Sequence, residues 1–373
     1  MLSRKLINWY EIHKRNLPWR DTENPYLIWV SEIILQQTRV VQGLDYYHRF
    51  VNAFPDIFSL ACADIDDVLK IWQGLGYYSR ARNMHIAAKY IVDVHHGKLP
   101  ETYDDLLKIK GIGDYTASAV ASLAFGQAVP VIDGNVNRVI ARLHGVQQPI
   151  NKPAGQKEIR ALAEELMVRD APATYNQAVM EFGALQCVPK NPDCGGCIFN
   201  QVCVAFKNGL VNILPVKVKT TKISTRYFHY LFVRFGNRTY IRRRASGDIW
   251  TELYEFPLIE TATETDLNDL ISHPLWQLYF EGQTPLVKKV SPEVIHRLTH
   301  RILKIRFYEI AVDQPVSVKD FIEISVSDMP RYAVPKVIDN YLCRLHSQAD
   351  LYNLQGEPKI VAEANLRNLS SRI

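Results

Sequence analysis

The sequence predicts a protein of two unlike domains, an all-helical domain over residues 1–214 and a smaller α+β domain over residues 227–345. Three observations favour this division. At roughly 150 residues per domain, 373 residues are too many for one ordinary domain. The first part has apolar residues at helical spacing between proline and glycine boundaries, and no convincing strand pattern. The second part has runs of alternating polarity, which are typical of half-buried strands.

Helices joined by tight turns account for the first part. Asn24-Pro25 provides a capping side chain followed by proline at the first helical position, which predicts a helix start. Apolar residues recur at helical spacing over 78–95, and Gly97 is expected to end that helix. Residues 154–167 and 172–186 have the same pattern.

The pattern changes near Leu214-Pro215. Beyond it, Gly236-Asn237 separates two alternating runs, which predicts a β-hairpin. Residues 335–345 have helical spacing. The predicted strands occupy residues 227–233, 239–243 and 302–312.

Positive charge is concentrated in one short segment. The formal net charge is +5, yet residues 216–244 contain nine basic residues and no acidic one. This segment, which overlaps the linker predicted over 215–226, is a candidate contact for a polyanion; the alternative is that its charges are solvated on a linker and an exposed hairpin. No apolar run approaches the ~18 residues of a membrane span, and the first ten residues lack an apolar signal stretch. We therefore expect a cytoplasmic protein, nucleoid-associated in a bacterium, with no membrane partner. No role is assigned to the tail, residues 346–373.

Four of the six cysteines lie within 17 residues, in the spacing C-x6-C-x2-C-x5-C. Thiolates this close can surround one metal centre, and their clustering argues against four unrelated buried cysteines. Spacing alone leaves zinc and an iron–sulfur cluster open. Cys62 and Cys343 stand singly on apolar helical patterns and are expected in the core. The four clustered residues are Cys187, Cys194, Cys197 and Cys203.

A glycine turn and an aspartate precede the cysteines. Gly111 and Gly113 flank one apolar residue between two helical segments, where exposed backbone N–H groups suit a phosphate. Such a pair also occurs in helical hairpins that simply turn. Asp133 follows about 20 residues later among apolar neighbours. It could be a helix N-cap, a functional carboxylate, or both.

The glycine turn, Asp133 and the cysteine loop together resemble the helix-hairpin-helix superfamily of DNA glycosylases, close to endonuclease III. That resemblance implies a [4Fe-4S] cluster on the four cysteines. Three further stretches are similar to the adenine DNA glycosylases of the MutY type, and the resemblance is strong over about residues 4–205. They are Leu17–Arg20, Ser31–Thr38 and Gly74–Asn83.

The resemblance implies roles for residues of the first domain. Breaking an N-glycosidic bond calls for two carboxyl groups, one protonated and one ionised. Glu32, on an apolar helix, would protonate adenine, and Asp133 would stabilise the sugar cation or form a transient covalent bond. From the residues alone, an equal alternative for Glu32 is a partly exposed carboxylate in a salt bridge. The remaining residues carried over are Tyr115 and Asn135 as hydrogen-bonding partners, Leu17, Trp19, Arg20 and Gln177 around the base, and Gln37 and Tyr77 inserted into the duplex.

The residue at position 115 distinguishes bifunctional glycosylases, which also cleave the strand, from monofunctional ones. Bifunctional relatives of the endonuclease III type have a lysine there, whose amine attacks the sugar and supports strand cleavage. Tyr115 in this chain implies a monofunctional enzyme. The expected substrate is double-stranded DNA with adenine opposite 8-oxoguanine or guanine, bound by a monomer.

The second domain loosely resembles the Nudix-like domain with which MutY-type enzymes read 8-oxoguanine. Leu298-Thr299-His300 is similar to a Phe-Ser-His loop, so Thr299 and His300 are expected to contact the lesion. Glu255–Pro257 is similar to the end of the family's first strand-loop segment, while Glu252 replaces an expected glycine. The glutamate-rich series of a Nudix hydrolase is missing after Pro257, which argues against pyrophosphatase activity.

Two rival functions remain at this point. A bifunctional enzyme acting on oxidised pyrimidines is disfavoured by Tyr115 and by the second domain. A DNA-binding or damage-sensing protein without catalysis is disfavoured by the presence of both Glu32 and Asp133, since neither is needed for binding alone.

Overall fold

The computed structural model describes residues 2–218, 223–316 and 320–354. Its first part is helical throughout the described residues, as predicted, with one short 3-10 helix at Pro18–Arg20. None of the described helices is long and apolar enough to cross a membrane. The helices are α1 (Leu2–His13), α2 (Pro25–Leu35), α3 (Val40–Ala53), α4 (Ile57–Cys62), α5 (Ile65–Trp72), α6 (Ser79–His95), α7 (Tyr103–Leu106), α8 (Asp114–Leu123), α9 (Gly134–His144), α10 (Pro153–Leu166), α11 (Pro172–Leu185) and α12 (Val204–Lys207).

The predicted helix boundaries follow from local chemistry. Asn24 caps α2 by accepting hydrogen bonds from the backbone N–H groups of Tyr26 and Leu27. The α6 helix ends at His95, and the chain then passes through two left-handed residues, His96 and Gly97, which prevent it from continuing.

The helical domain has two buried cores. One gathers side chains of α2, α5, α6 and α8 around Trp29 and Trp72. The other packs α1, α9, α10 and α11 around Trp9 and Phe182. Helices of the two groups face each other across an open cleft, so residues far apart in sequence are brought to its walls.

The second domain is built on one mixed sheet with helices, as predicted. A parallel pair, β1 with β7, forms its centre, and the turn Gly236-Asn237 joins β1 to β2 as expected of a hairpin. The strands are β1 (Ser224–Phe235), β2 (Arg238–Arg243), β3 (Tyr254–Glu255), β4 (Leu258–Thr261), β5 (Leu286–Val290), β6 (Val294–Arg297), β7 (Arg301–Ala311) and β8 (Ile322–Ser325). The helices are α13 (Leu267–Ile271), α14 (Pro274–Tyr279) and α15 (Lys336–Leu354), with a 3-10 helix at Val326–Arg331.

Several contacts join the two domains. Asp66 at the start of α5 accepts hydrogen bonds from Arg243 Nη2 at 2.9 Å and from Tyr254 Oη at 2.8 Å. Leu253 is fully buried within the core of the helical domain that contains Trp29. Because an apolar side chain of one domain completes the core of the other, the two are packed together rather than merely tethered.

Both ends of the linker are anchored. The backbone of Val218 exchanges two hydrogen bonds with the side-chain amide of Asn151, at 2.8 and 3.1 Å. On the other side, β1 already begins at Ser224, whose N–H donates to the carbonyl of His300 at 3.2 Å. One end of the linker is therefore held by the helical domain, and the other by the turn that precedes β7.

Five of the nine basic residues in the segment 216–244 are ion-paired within the fold. These arginines form ion pairs with carboxylates supplied by other parts of the fold, including Asp66 of the helical domain. Counting charges within the segment does not reveal these ion pairs, because the carboxylates lie outside it in the sequence. The paired residues are Arg226, Arg238, Arg242, Arg243 and Arg244. Lys217 is exposed, whereas Lys219 and Lys222 lie outside the described residues.

The expectation that Cys62 and Cys343 are core residues is also wrong, because both are exposed. Each lies on the outward side of an amphipathic helix, α4 and α15 respectively, where apolar neighbours in the sequence point inward. The glycine expected in place of Glu252 has a physical explanation. Glu252 has a φ of 65°, in the left-handed region that favours glycine.

Candidate active site

A cleft of about 540 Å³ lies between the two groups of helices and collects most of the residues predicted to act on the base. Its walls come from the 3-10 helix, α2, α8, α11 and the start of α9. The predicted residues that line it are Leu17, Trp19, Arg20, Glu32, Tyr115, Asp133, Asn135 and Gln177. Residues far apart in the sequence thus meet at one site.

Glu32 projects from the apolar helix α2 and is only 5% exposed. Tyr115, on α8, donates a short hydrogen bond from Oη to Oε2 of Glu32. Burial raises the pKa of Glu32 to about 7, although the Tyr115 hydrogen bond and the positive charge of Arg20 act in the opposite direction. The salt-bridged, partly exposed alternative for Glu32 is therefore wrong, and its carboxyl group is placed to hold a proton near neutral pH.

Asp133 is the N-cap of α9, so the capping role and a place in the cleft occur together. Its carboxylate accepts hydrogen bonds from the backbone N–H of Val136 at 2.7 Å and from Asn135 Nδ2 at 2.8 Å. Burial raises the pKa of Asp133, and these hydrogen bonds oppose that effect. Two carboxyl groups in different environments thus share one cleft: Glu32 accepts a tyrosine hydroxyl, whereas Asp133 accepts N–H groups that favour its ionised form.

Sequence reasoning missed Glu181 and Arg15, which also line the cleft. Glu181, on α11, is 1% exposed and accepts hydrogen bonds from two guanidinium groups, those of Arg15 and Arg20. Burial alone would raise the pKa of Glu181, but these hydrogen bonds lower it to about 2. A signal was present in the sequence, because a glutamate one helical turn after Gln177 stands among apolar residues of α11.

Arg138, on α9, is a further missed residue. It donates hydrogen bonds to Asn135 Oδ1 at 2.9 Å, to the carbonyl of Gly183 at 2.6 Å and to the carbonyl of Cys187 at 2.7 Å. A side chain at Gly183 would collide with Asn135, since a Cβ there would lie 2.6 Å from the Asn135 Cβ. Arg138 therefore links the Asp133 side of the cleft directly to the first cysteine of the loop.

The glycine turn supports α8 from below the cleft. Gly111 has a φ of 88°, and a Cβ at this position would lie 2.6 Å from Asn83 Cβ, so both conformation and space require glycine. Gly113 is the N-cap residue of α8, two residues before Tyr115. The turn thus presents the start of a helix to solvent, as expected for a phosphate contact.

Gln37 and Tyr77 do not line the cleft but have an unusual feature in common. Both have left-handed backbone conformations, with φ of 54° and 47°, and Tyr77 is 47% exposed. Arg80 fixes the end of α2 beside them, because its Nη1 donates to the carbonyls of Ile33 at 2.8 Å and Gln36 at 2.5 Å. Strained residues that persist in a well-packed fold are a common property of functional sites.

The turn between β6 and β7 meets this region. The hydroxyl of Tyr77 lies 3.1 Å from that of Thr299, so the second domain contacts the helical domain at a residue predicted to enter DNA. His300 and Thr299 are exposed, whereas Leu298 packs partly against the core of its own domain. His300 lies in a turn, not within a strand.

All four clustered cysteines line one small cavity of about 30 Å³. N–H groups point at their sulfurs: Arg142 Nη1 lies 3.5 Å from Cys187 Sγ, and the backbone N–H of Phe199 lies 3.4 Å from Cys197 Sγ. Among the described residues, however, no three His, Cys, Asp or Glu side chains are arranged to hold a single metal ion. Four cysteine side chains around one cavity, with N–H donors beside two of the sulfurs, are the residues available to hold a metal centre.

Fold and cleft together define a base-excision DNA glycosylase of the helix-hairpin-helix class with a Nudix-like second domain. Residues 30–167 match the family model described as "HhH-GPD superfamily base excision DNA repair protein", and residues 229–344 match the NUDIX domain. A solved thermostable thymine-DNA glycosylase is 26% identical, with a TM-score of 0.52 over 56% of this chain and 95% of that one.

The chain belongs to the adenine DNA glycosylase family. It is 35% identical to the adenine DNA glycosylase of Buchnera aphidicola subsp. Schizaphis graminum, over 71% of this chain and 77% of that protein. It is 30% identical to that of Schizosaccharomyces pombe, over 96% of this chain and 93% of the relative. The predicted fold class, family and enzyme class, a hydrolase of N-glycosyl bonds in base excision repair, are thereby confirmed.

Proposed function

We propose that this adenine DNA glycosylase removes adenine opposite 8-oxoguanine or guanine, with Glu32 as general acid and Asp133 as the stabiliser of the sugar cation. The observation that carries the proposal is the placement of both carboxyl groups, buried and differently hydrogen-bonded, in one cleft. The duplex is bound by a monomer, in the cytoplasm. Since the base must leave the duplex to enter the cleft, Gln37 and Tyr77 fill the space that it vacates.

In the proposed reaction, the Glu32 carboxyl group donates its proton to N7 of adenine. The bond between the sugar C1′ and adenine N9 then breaks, and its electron pair leaves with the base. The Asp133 carboxylate stabilises the cation at C1′ or bonds to it transiently. Water adds at C1′ and loses a proton to the Glu32 carboxylate, which restores the acid. Leu17, Trp19, Arg20 and Gln177 form the walls that hold adenine.

The enzyme is proposed to be monofunctional. Tyr115 is held by its hydrogen bond to Glu32, and burial raises its pKa well above the ordinary value, so it remains a neutral donor. No lysine is among the described residues lining the cleft. Without an amine near C1′, an imine cannot form there and strand cleavage has no route through it.

Two further sites are proposed to bind the DNA. In addition, a cluster is proposed to fix the cysteine loop. The N–H groups at Gly111 and Gly113 contact a phosphate at the start of α8. Thr299 and His300 contact the base opposite adenine, beside Tyr77. The four cysteines Cys187, Cys194, Cys197 and Cys203 hold a [4Fe-4S] cluster, whose thiolate bonds would fix the loop that Arg138 connects to Asn135.

A single-turnover excision assay on a panel of duplexes tests the proposal. The panel pairs adenine with 8-oxoguanine, guanine or thymine, and adds one duplex with an oxidised pyrimidine. We expect excision only of adenine opposite 8-oxoguanine or guanine, and a reduction in rate of roughly a hundredfold or more for Glu32→Gln and Asp133→Asn. Duplex affinity of both variants should stay within a few-fold of the parent. Near-parental rates in Glu32→Gln would remove the acid role, and release of the pyrimidine would point to the rival function.

A further inference from the structure

The Glu181 carboxylate has no role in the proposed reaction, yet it is among the most deeply buried charges of the cleft. It lies on α11 one helical turn after Gln177, with 1% of its side chain exposed. Arg20 donates to it through both terminal nitrogens, at 3.0 and 2.7 Å, and Arg15 donates through Nε and Nη2, at 2.8 and 2.6 Å. Two guanidinium groups thus each donate two hydrogen bonds to one carboxylate.

The two arginines differ in their surroundings. Both line the cleft, but Arg15 is 37% exposed, whereas Arg20 is only 12% exposed. Arg20 is also fixed by a hydrogen bond from Nη1 to the carbonyl of Arg15 at 2.9 Å. Of the two charges, that of Arg20 is the more buried, and it acts on the pKa of Glu32.

A positive charge near a general acid lowers the pKa of that acid and so disfavours its protonated form. The charge of Arg20 favours the ionised form of Glu32 and acts against the effect of burial. Since the charge is partly buried, water screens it weakly. A negative charge bound to the same guanidinium reduces its field at Glu32, and Glu181 is the carboxylate in that position.

We propose that Glu181 is a positioning residue for adenine excision: its buried carboxylate holds the Arg20 guanidinium against the cleft wall and offsets its charge, so that Glu32 keeps its proton. This inference rests on the proposed role of Glu32 as the general acid. Glu181 itself is not expected to touch the base, because both of its oxygens are occupied by the two guanidinium groups.

Other charged and titratable groups near Glu32 stay constant in the test. They are Tyr115 on α8, Asp133 before α9, Arg39 before α3 and Arg138 on α9. None of them contacts Glu181 within hydrogen-bonding distance among the described residues. A change seen on neutralising Glu181 therefore does not act through a hydrogen bond to any of these four groups.

The experiment is a pH profile of single-turnover excision of adenine opposite 8-oxoguanine. Activity of the parent should fall as pH rises through the pKa of Glu32, because the acid is then lost. In Glu181→Gln, which keeps the shape and removes the charge, this alkaline limb should move about one pH unit towards acid, as expected for an unbalanced nearby cation. Well above the limb, the rate should drop about tenfold relative to the parent, since each pH unit corresponds to a tenfold change in the protonated fraction.

Three further variants separate charge from structure. Glu181→Asp keeps the charge and should keep the limb near the parental pH. Arg15→Gln removes the outer guanidinium but leaves the inner pair, and its limb should not move. The double variant Glu181→Gln/Arg20→Gln removes the unbalanced charge and should return the limb towards the parental pH, even if its maximal rate is low.

The outcomes are distinguishable. If Glu181→Gln lowers the rate equally at every pH with an unmoved limb, its role is only structural and the inference is overturned. An acid-shifted limb in Glu181→Asp as large as that in Glu181→Gln would overturn it as well. If Glu181→Gln does not fold, Arg20→Gln decides: a limb shifted towards alkaline pH supports the inference, because the charge that favours ionised Glu32 is gone while Glu181 stays ionised, and an unmoved limb rejects it. A parent with no alkaline limb, or an active Glu32→Gln, would reject the acid role itself and the inference with it.

Discussion

The Glu32→Gln substitution should make the protein more stable at neutral and alkaline pH while it abolishes excision. Folding raises the pKa of Glu32 from its ordinary 4.5 to about 7, mainly through burial. Each tenfold change in proton affinity corresponds to about 1.4 kcal/mol, so ionising this carboxyl group in the folded protein costs about 3 kcal/mol. Glutamine has a similar shape and no charge, and therefore does not incur this cost.

The direction in which the stability difference between parent and Glu32→Gln changes with pH follows from proton binding. Between pH 4.5 and about 7 the folded protein retains the Glu32 proton that the unfolded chain has lost. The stability of the parent relative to the variant should therefore fall with rising pH through this window and level off above it. Below pH 4.5 both states hold the proton, and the pH-dependent difference should be absent.

Urea unfolding followed by tryptophan fluorescence measures this difference, since four of the six tryptophans lie in the helical domain. Unfolding free energies of parent and variant would be compared at several pH values from weakly acidic to weakly alkaline. Glu158→Gln, at an exposed glutamate of α10, is a matched control in which no such trend is expected. A parent-to-variant difference that stays constant across this range would refute the reasoning.

Four further predictions concern the cluster, the lyase step, the lesion contact and the linker. Protein purified under anaerobic conditions should be yellow-brown with about four irons; stoichiometric zinc without iron would contradict the cluster. The parent should not be trapped on DNA by borohydride, whereas Tyr115→Lys should gain trapping through an imine, and efficient trapping of the parent would argue against monofunctionality. His300→Ala should reduce the preference for 8-oxoguanine over guanine without altering the salt dependence of binding. Replacing three linker lysines by glutamine should weaken binding to every duplex. It should also lower the slope of log affinity against log salt concentration by up to ~0.9 for each phosphate that a lysine no longer neutralises. An unchanged preference in the first or an unchanged slope in the second would reject the respective role; the three linker residues are Lys217, Lys219 and Lys222.

The two carboxyl groups proposed to act in catalysis follow from the family resemblance, and local features bear on each of them. Glu32 stands among apolar residues of one helix, but the residues alone leave a partly exposed, salt-bridged carboxylate equally open, and it is the fold that shows Glu32 to be buried. Asp133 precedes a helix by one residue, which makes it both an N-cap and a residue facing the adjoining cleft. The hairpin at Gly236-Asn237 is likewise determined by adjacent residues.

What the sequence could not reveal depends on contacts between distant positions. Glu181 accepts hydrogen bonds from Arg15, which lies 166 residues away in the sequence, and no local sequence pattern predicts this pair. Five of the six arginines between 226 and 244 form ion pairs, one of them with Asp66 on the other domain. The left-handed backbone of Gln37 is also invisible in the sequence, since the surrounding fold and not the residue type imposes it.

The packing between the two domains limits where the second domain can act. Leu253 lies in the core of the helical domain, and Asp66 accepts hydrogen bonds from Arg243 and Tyr254, so the second domain is held at a fixed position beside the helices. The turn that carries Thr299 is thereby kept next to Tyr77. If Thr299 contacts the base opposite adenine, as proposed, then the opposite strand is read and the adenine removed within one short segment of the duplex.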